Sequence, residues 1–143
     1  MTLFRRGIFV DCLFPFAERP AVPGPMRHIA YVYGRVRKAS SEERAIAMFT
    51  TTSPKMVAQI PEGLAISISQ ESSAILGMRN SFVIDVHRYA ILPMTEEWFP
   101  DLDLGEDFVI GRADERLRSV IERRFNEMKQ IYPSPAITLG PGW

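Results

Sequence analysis

The sequence predicts a mainly β protein: a small, strongly bent barrel or sandwich with one helix packed across a side. Three observations carry this. Between residues 7 and 92, five short runs rich in β-branched and aromatic residues recur, each ended by proline, glycine or a polar turn. Leu64–Ser69 alternates cleanly, with Leu64, Ile66 and Ile68 on one face and Ala65, Ser67 and Ser69 on the other, the pattern of a half-buried strand. The apolar period then changes, and Ala113, Leu117, Val120, Ile121, Phe125, Met128 and Ile131 recur at three- and four-residue steps.

The elements follow in order. Gly7–Phe14 reads as a strand stopped by Pro15. Pro15–Arg27 holds Pro15, Pro20, Pro23, Gly24 and Pro25; proline fixes torsion and lacks a donor, so this loop stays out of the sheet and reads as a functional surface arm. His28–Tyr33 is the second strand, closed by Gly34 and the basic turn Arg35–Lys38. Ser40–Glu43 resembles a helical turn, Ala45–Thr50 a third strand, Leu64–Ser69 a fourth and Ser81–Leu92 the longest. An amphipathic helix to Ile131 starts near Gly111 and Asp114 and ends at Pro133. Residues 1–132 are read as a single domain and 133–143 as an irregular tail.

A chain of 143 residues with 46% apolar content suits one core. No apolar run reaches the roughly 18–20 residues that span a bilayer, and Met1–Arg6 lacks the features of a signal peptide, so a cytoplasmic protein without membrane contact is expected. One cysteine, Cys12, excludes an internal disulfide and reads as a packed thiol. With only His28 and His87 there is no structural zinc set, and neither metal nor cofactor is expected. Net charge is zero but uneven: residues 1–60 carry nine Lys or Arg against four Asp or Glu, a surplus that suits a polyanion. Glu96, Glu97, Asp101, Asp103, Glu106 and Asp107 reverse the sign, either as a solvated loop or as a cover over a basic groove.

Three polar groups stand at strand ends. Arg27 leaves the proline loop, Thr50–Ser53 ends the third strand, and Asp85 with His87 interrupts the fifth. Alternation points Asp85, His87 and Tyr89 to one face, with Asp85 and His87 roughly 7 Å apart, able to bracket a phosphate or simply to form a solvated face. Arg88 points the other way, toward a structural role. Arg27 itself can pair with Asp11 or Glu18.

The order of these features resembles the PemK/MazF family of toxin endoribonucleases. The resemblance rests on Gly7-Ile8-Phe9-Val10-Asp11-Cys12-Leu13-Phe14-Pro15, a variable loop, Arg27 before an apolar strand, Ala45–Thr50 running into Thr-Ser, and Asn80-Ser81-Phe82-Val83-Ile84-Asp85 to Arg88. Ile110-Gly111 opening a helix extends it to about Ile131. It implies an SH3-like small β barrel of the PemK/MazF/CcdB type and a homodimer. It further implies metal-independent cleavage of single-stranded RNA and restraint by a cognate antitoxin, with no DNA binding by the toxin alone. Cleavage by the 2′-hydroxyl needs a base, a cation on the phosphate and an acid for the leaving oxygen. The resemblance assigns phosphate stabilisation to Arg27 and phosphate-bonding hydroxyls to Thr52 and Ser53, within a run, Thr50–Ser53, whose register is open. Arg19 and Thr51 join Arg27 as RNA-binding residues.

The chain also departs from the family pattern. His28 replaces the usual proline after the loop arginine, and Val83 stands where an arginine precedes the later aspartate, taken as Asp85. Asp85, His28 and His87 are therefore the candidate proton carriers; histidine titrates nearest neutral pH. The alternative is a non-catalytic SH3-like barrel that binds a protein partner.

Overall fold

The computed structural model describes residues 3–38, 42–131 and 136–139. The strands are β1 (Ile8–Cys12), β2 (His28–Val36), β3 (Arg44–Thr51), β4 (Ala65–Ile68), β5 (Phe82–Pro93), β6 (Val109–Arg112) and β7 (Ala136–Leu139). The first six form an antiparallel sheet in the order β4-β5-β3-β2-β1-β6, and β7 adds to β5 in parallel. Helices α1 (Pro54–Val57), α2 (Gln70–Ile75) and α3 (Glu115–Ile131) and a 3₁₀ segment (Leu102–Phe108) complete the described chain. No helix among the described residues is long and apolar enough to cross a membrane.

Strand alternation builds one core on each face of the sheet. Phe9, Tyr31, Met48, Ile84 and Val86 point to the first, which α3 covers with Ile121, Phe125 and Met128. Fully burying each of these helix side chains is worth roughly 1.5–3 kcal/mol. Phe125 sits 4.4 Å from the Tyr33 ring and 5.2 Å from that of Tyr89, so its loss to alanine would cost about 3–5 kcal/mol. Val10, Cys12, Val32, Ala47 and Leu92 point to the second core, which the segment around Trp98, Phe99 and Phe108 covers. Phe4 clamps that segment, its ring 4.8 Å from Phe99 and 5.2 Å from Phe108. Cys12 is packed here as expected, and burial pushes its thiol pKa far up.

The sheet curls but is not a closed barrel, because β4 and β6 end the path and do not pair with one another among the described residues. Backbone contact bridges the gap instead. A Cβ on Gly111 would lie 1.9 Å from the Leu76 carbonyl oxygen, and one on Gly77, whose φ is +83°, would lie 2.8 Å from that of Ile110. Only glycine fits so close an approach.

Several expectations are corrected. Ile110 and Gly111 belong to β6, paired with β1 through Phe9↔Gly111, and do not open the helix. α3 starts after Asp114, whose Oδ1 accepts the Leu117 N–H at 2.8 Å and caps its first turn. The tail, where proline and glycine predict no regular element, contains β7. Most of the Ser40–Glu43 turn lies outside the described residues, and Glu42 and Glu43 are not helical. β5 is interrupted by a bulge: Met48 pairs with Tyr89 but Phe49 with Asp85, so residues 86–88 have no partner on β3.

Candidate functional site

Because β2 starts at His28 and its antiparallel neighbour β3 ends at Thr51, the loop exit and the Thr-Ser run meet at one end of the curled sheet. A cavity of about 530 Å³ opens there, lined by Arg27, His28, Thr50, Thr51, Thr52 and Ser53 together with the turn Gly77–Asn80 and Ile110. The structure thus brings the loop arginine and the hydroxyl run together.

The four hydroxyls are not equivalent. Thr50 Oγ1 donates to the Ile29 carbonyl at 2.5 Å. Thr51 Oγ1 accepts the Ser53 N–H at 3.0 Å and donates weakly to Met56 Sδ at 3.8 Å. Ser53 caps α1, its Oγ accepting the Met56 N–H at 3.4 Å with Pro54 in the first helical position. That leaves the Ser53 proton for an acceptor outside the protein. Thr52 is exposed and its hydroxyl makes no hydrogen bond among the described residues. Thr52 and Ser53 are therefore the two donors this run can offer a ligand.

Arg27 is engaged. Its Nη1 lies 2.8 Å from both carboxylate oxygens of Asp101 and 3.6 Å from Asp11 Oδ2, while about half of the side chain stays exposed. Of the two partners the sequence suggests, the structure selects Asp11, and it adds Asp101 from the acidic stretch. Burial, and then the adjacent Asp101 carboxylate, push Asp11 above the usual carboxylate range, with Arg27 opposing both. Trp98 and Phe99 anchor the acidic stretch, and the Leu13 N–H donates to the Trp98 carbonyl at 2.9 Å, which explains how Asp101 reaches Arg27.

His28 is half-buried, its ring 5.2 Å from that of Phe49. Burial, reinforced by the positive charge of Arg88, lowers its pKa from 6.5, so the imidazole is neutral at pH 7 and able to accept a proton. Arg88 stacks over Phe49 at 4.3 Å and Phe14 at 5.5 Å, a structural role.

Asp85 and His87 do not line this cavity. They line a neighbouring one of about 270 Å³, and Thr51 and Met56 are walls common to both. The strand alternation behind the expected Asp85–His87–Tyr89 face fails at the bulge, and Tyr89 is buried in the first core. Asp85 Oδ1 accepts the N–H groups of His87 at 3.0 Å and Arg88 at 3.2 Å, so this buried carboxylate holds the bulge together. Burial raises its pKa, and those backbone bonds and the charges of His87 and Arg88 oppose the rise.

Arg19 is exposed on the proline loop and outside the cavity, its N–H donating to the Phe16 carbonyl at 3.0 Å. The loop folds back on β1 instead of covering the cavity: the Gly24 N–H reaches the Leu13 carbonyl at 3.1 Å, and a Cβ at Gly24 would lie 2.2 Å from the Phe14 oxygen. Only Arg27 of the loop lines the cavity. Arg79 and Asn80 line it too; no motif in the sequence marks Arg79, and Asn80 stands there only as the first residue of the later strand motif. No family model matches the chain, and no curated protein matches its sequence.

Proposed function

We propose that the protein is a metal-independent endoribonuclease of PemK/MazF type, the toxin of a type II toxin-antitoxin pair, cleaving single-stranded RNA in the cytoplasm as a homodimer. One observation carries the reading: a cation, a neutral imidazole and two unspent hydroxyl donors line a single cavity. They supply the base and the phosphate-stabilising groups that transfer through a 2′-hydroxyl requires, and solvent supplies the acid.

In this reading His28 accepts the 2′-hydroxyl proton as the oxygen attacks phosphorus. The bond from phosphorus to the 5′-oxygen breaks, leaving a 2′,3′-cyclic phosphate on one fragment and a 5′-hydroxyl, protonated from solvent, on the other. Arg27, Thr52 and Ser53 hold the non-bridging oxygens as their charge grows. Asp85 and His87 support the bulge beneath the site and exchange no proton with RNA.

The second reading, a barrel-like module that binds a protein partner without cutting RNA, draws on the two carboxylates that already hold Arg27. Induced expression followed by primer extension on cellular RNA separates the two. The nuclease reading expects growth arrest with discrete new 5′ ends. Arrest with intact RNA favours the binding module.

A further inference from the structure

The cavity holds a second arginine, and its setting differs from that of Arg27. Arg79 stands in the turn between α2 and β5, and the backbone of this turn is braced on both sides. The Gly77 N–H donates to the Ala74 carbonyl at 3.1 Å and the Met78 N–H to that of Ser73 at 2.9 Å. Fully buried Ser73 donates its hydroxyl to the Asn80 carbonyl at 2.5 Å. The Gln70 side chain straddles the turn, donating to the Arg79 carbonyl and accepting the Ser81 N–H at 3.2 Å. Gly77 presses against Ile110 of β6, so the turn has no room to shift that way.

On this fixed backbone the Arg79 side chain is exposed and makes no ion pair among the described residues. No Asp or Glu is among the described residues that line the cavity, so its lining charge is that of two arginines. Arg27 has carboxylate partners outside the lining; Arg79 has none among the described residues. An unpaired guanidinium on a rigid turn, beside Asn80 and an arginine already placed for one phosphate, suits an anion carrying charge at regular intervals.

We infer that Arg79 is a second phosphate-binding residue, holding a phosphodiester that flanks the one at Arg27 and so positioning the strand. The inference rests on the RNA reading above and extends it to substrate placement. Arg79 binds ground state and transition state alike, and its loss therefore appears in KM and not in kcat.

The test measures binding of a mixed-sequence 2′-O-methyl single-stranded oligonucleotide, which cannot be cut, by wild type, Arg79→Gln and Arg79→Lys across a salt series. Arg79→Gln should weaken binding about five- to tenfold at low salt and reduce the log–log salt slope by about 0.7, one phosphate contact on a single strand. Arg79→Lys should restore the slope. With a cleavable RNA, Arg79→Gln should raise KM while kcat stays within about twofold. Wild-type affinity and slope in Arg79→Gln, from a wild type that binds and cleaves RNA, would overturn the role of Arg79 alone. A wild type that binds no oligonucleotide even at low salt would overturn the RNA reading and this inference with it.

Discussion

Arg27 and Asp101, 74 residues apart, are joined through one nitrogen, Nη1, that lies 2.8 Å from both oxygens of the carboxylate. A phosphate arriving at Arg27 would have to share or displace this partner, and among the described residues Asp11, at 3.6 Å, is the other carboxylate that holds the guanidinium. In the proposed reading the acidic stretch would compete with RNA at this one point, through Asp101. Replacing Asp101 by asparagine should raise affinity for single-stranded RNA about three- to tenfold at low salt, and the gain should shrink as salt screens the exposed pair. Fluorescence anisotropy with a labelled oligonucleotide measures it. Unchanged affinity at low salt means that no phosphate meets Arg27.

Asp85 is a stability residue in this account. Asp85→Ala leaves the N–H groups of His87 and Arg88 without their acceptor and should cost about 1–3 kcal/mol in urea unfolding. Asp85→Asn keeps an acceptor oxygen. Since the folded pKa of Asp85 lies above 3.8, the stability tied to its protonation is full below that value and is lost as pH rises through the folded pKa. The asparagine variant, which does not ionise, should therefore gain on the wild type as pH rises from about 4 to 7, while retaining cleavage. A well-folded Asp85→Asn whose kcat has dropped a hundredfold or more returns Asp85 to the chemistry.

With His28 as the proposed base, the pH dependence follows from its surroundings. Its imidazole is held below 6.5, first by burial and then by Arg88, so it stays neutral further into acid than a free histidine. As a base it works only when neutral. The acid limb of kcat/KM should accordingly fall with a midpoint below 6.5, matching the His28 titration seen by NMR. Arg88→Met, which removes the nearby charge and keeps an apolar stem over Phe49, should move that titration upward. A wild-type midpoint above 6.5 contradicts the assignment.

What the sequence displayed and what it concealed divide along local and non-local lines. β-Branched and aromatic runs with proline and glycine stops placed Ile8–Cys12 and His28–Val36 within a few residues of their ends, alternation placed Ala65–Ile68 within one, and the three- and four-residue period placed α3. Two short helices carry local start signals, Ser53 before Pro54 and Ser69 capping the Ser72 N–H, but both are too short to show an apolar period. β6 was not readable, because Val109–Arg112 is a strand only through pairing with β1. At the site, the family resemblance singled out Arg27 with Thr52 and Ser53, and they meet because the start of β2 and the end of its antiparallel neighbour β3 lie side by side. Asp85 and His87 did not follow, because a bulge held by Asp85 itself breaks the two-residue period on which their placement rested. The Arg27–Asp101 contact depends on Trp98 and Phe99 packing across the second core, and its only local sign was a run of acidic residues.

In the proposed reading Arg27 stabilises a phosphate attacked by the RNA's own 2′-hydroxyl. The most direct measurement incubates purified wild type and Arg27→Ala with an end-labelled single-stranded RNA of mixed sequence, with and without EDTA, and identifies the product ends. Wild type should leave 2′,3′-cyclic phosphate and 5′-hydroxyl ends at the same rate with and without EDTA, and Arg27→Ala should lose about a hundredfold or more. Cleavage that EDTA abolishes and Arg27→Ala leaves intact would contradict this reading.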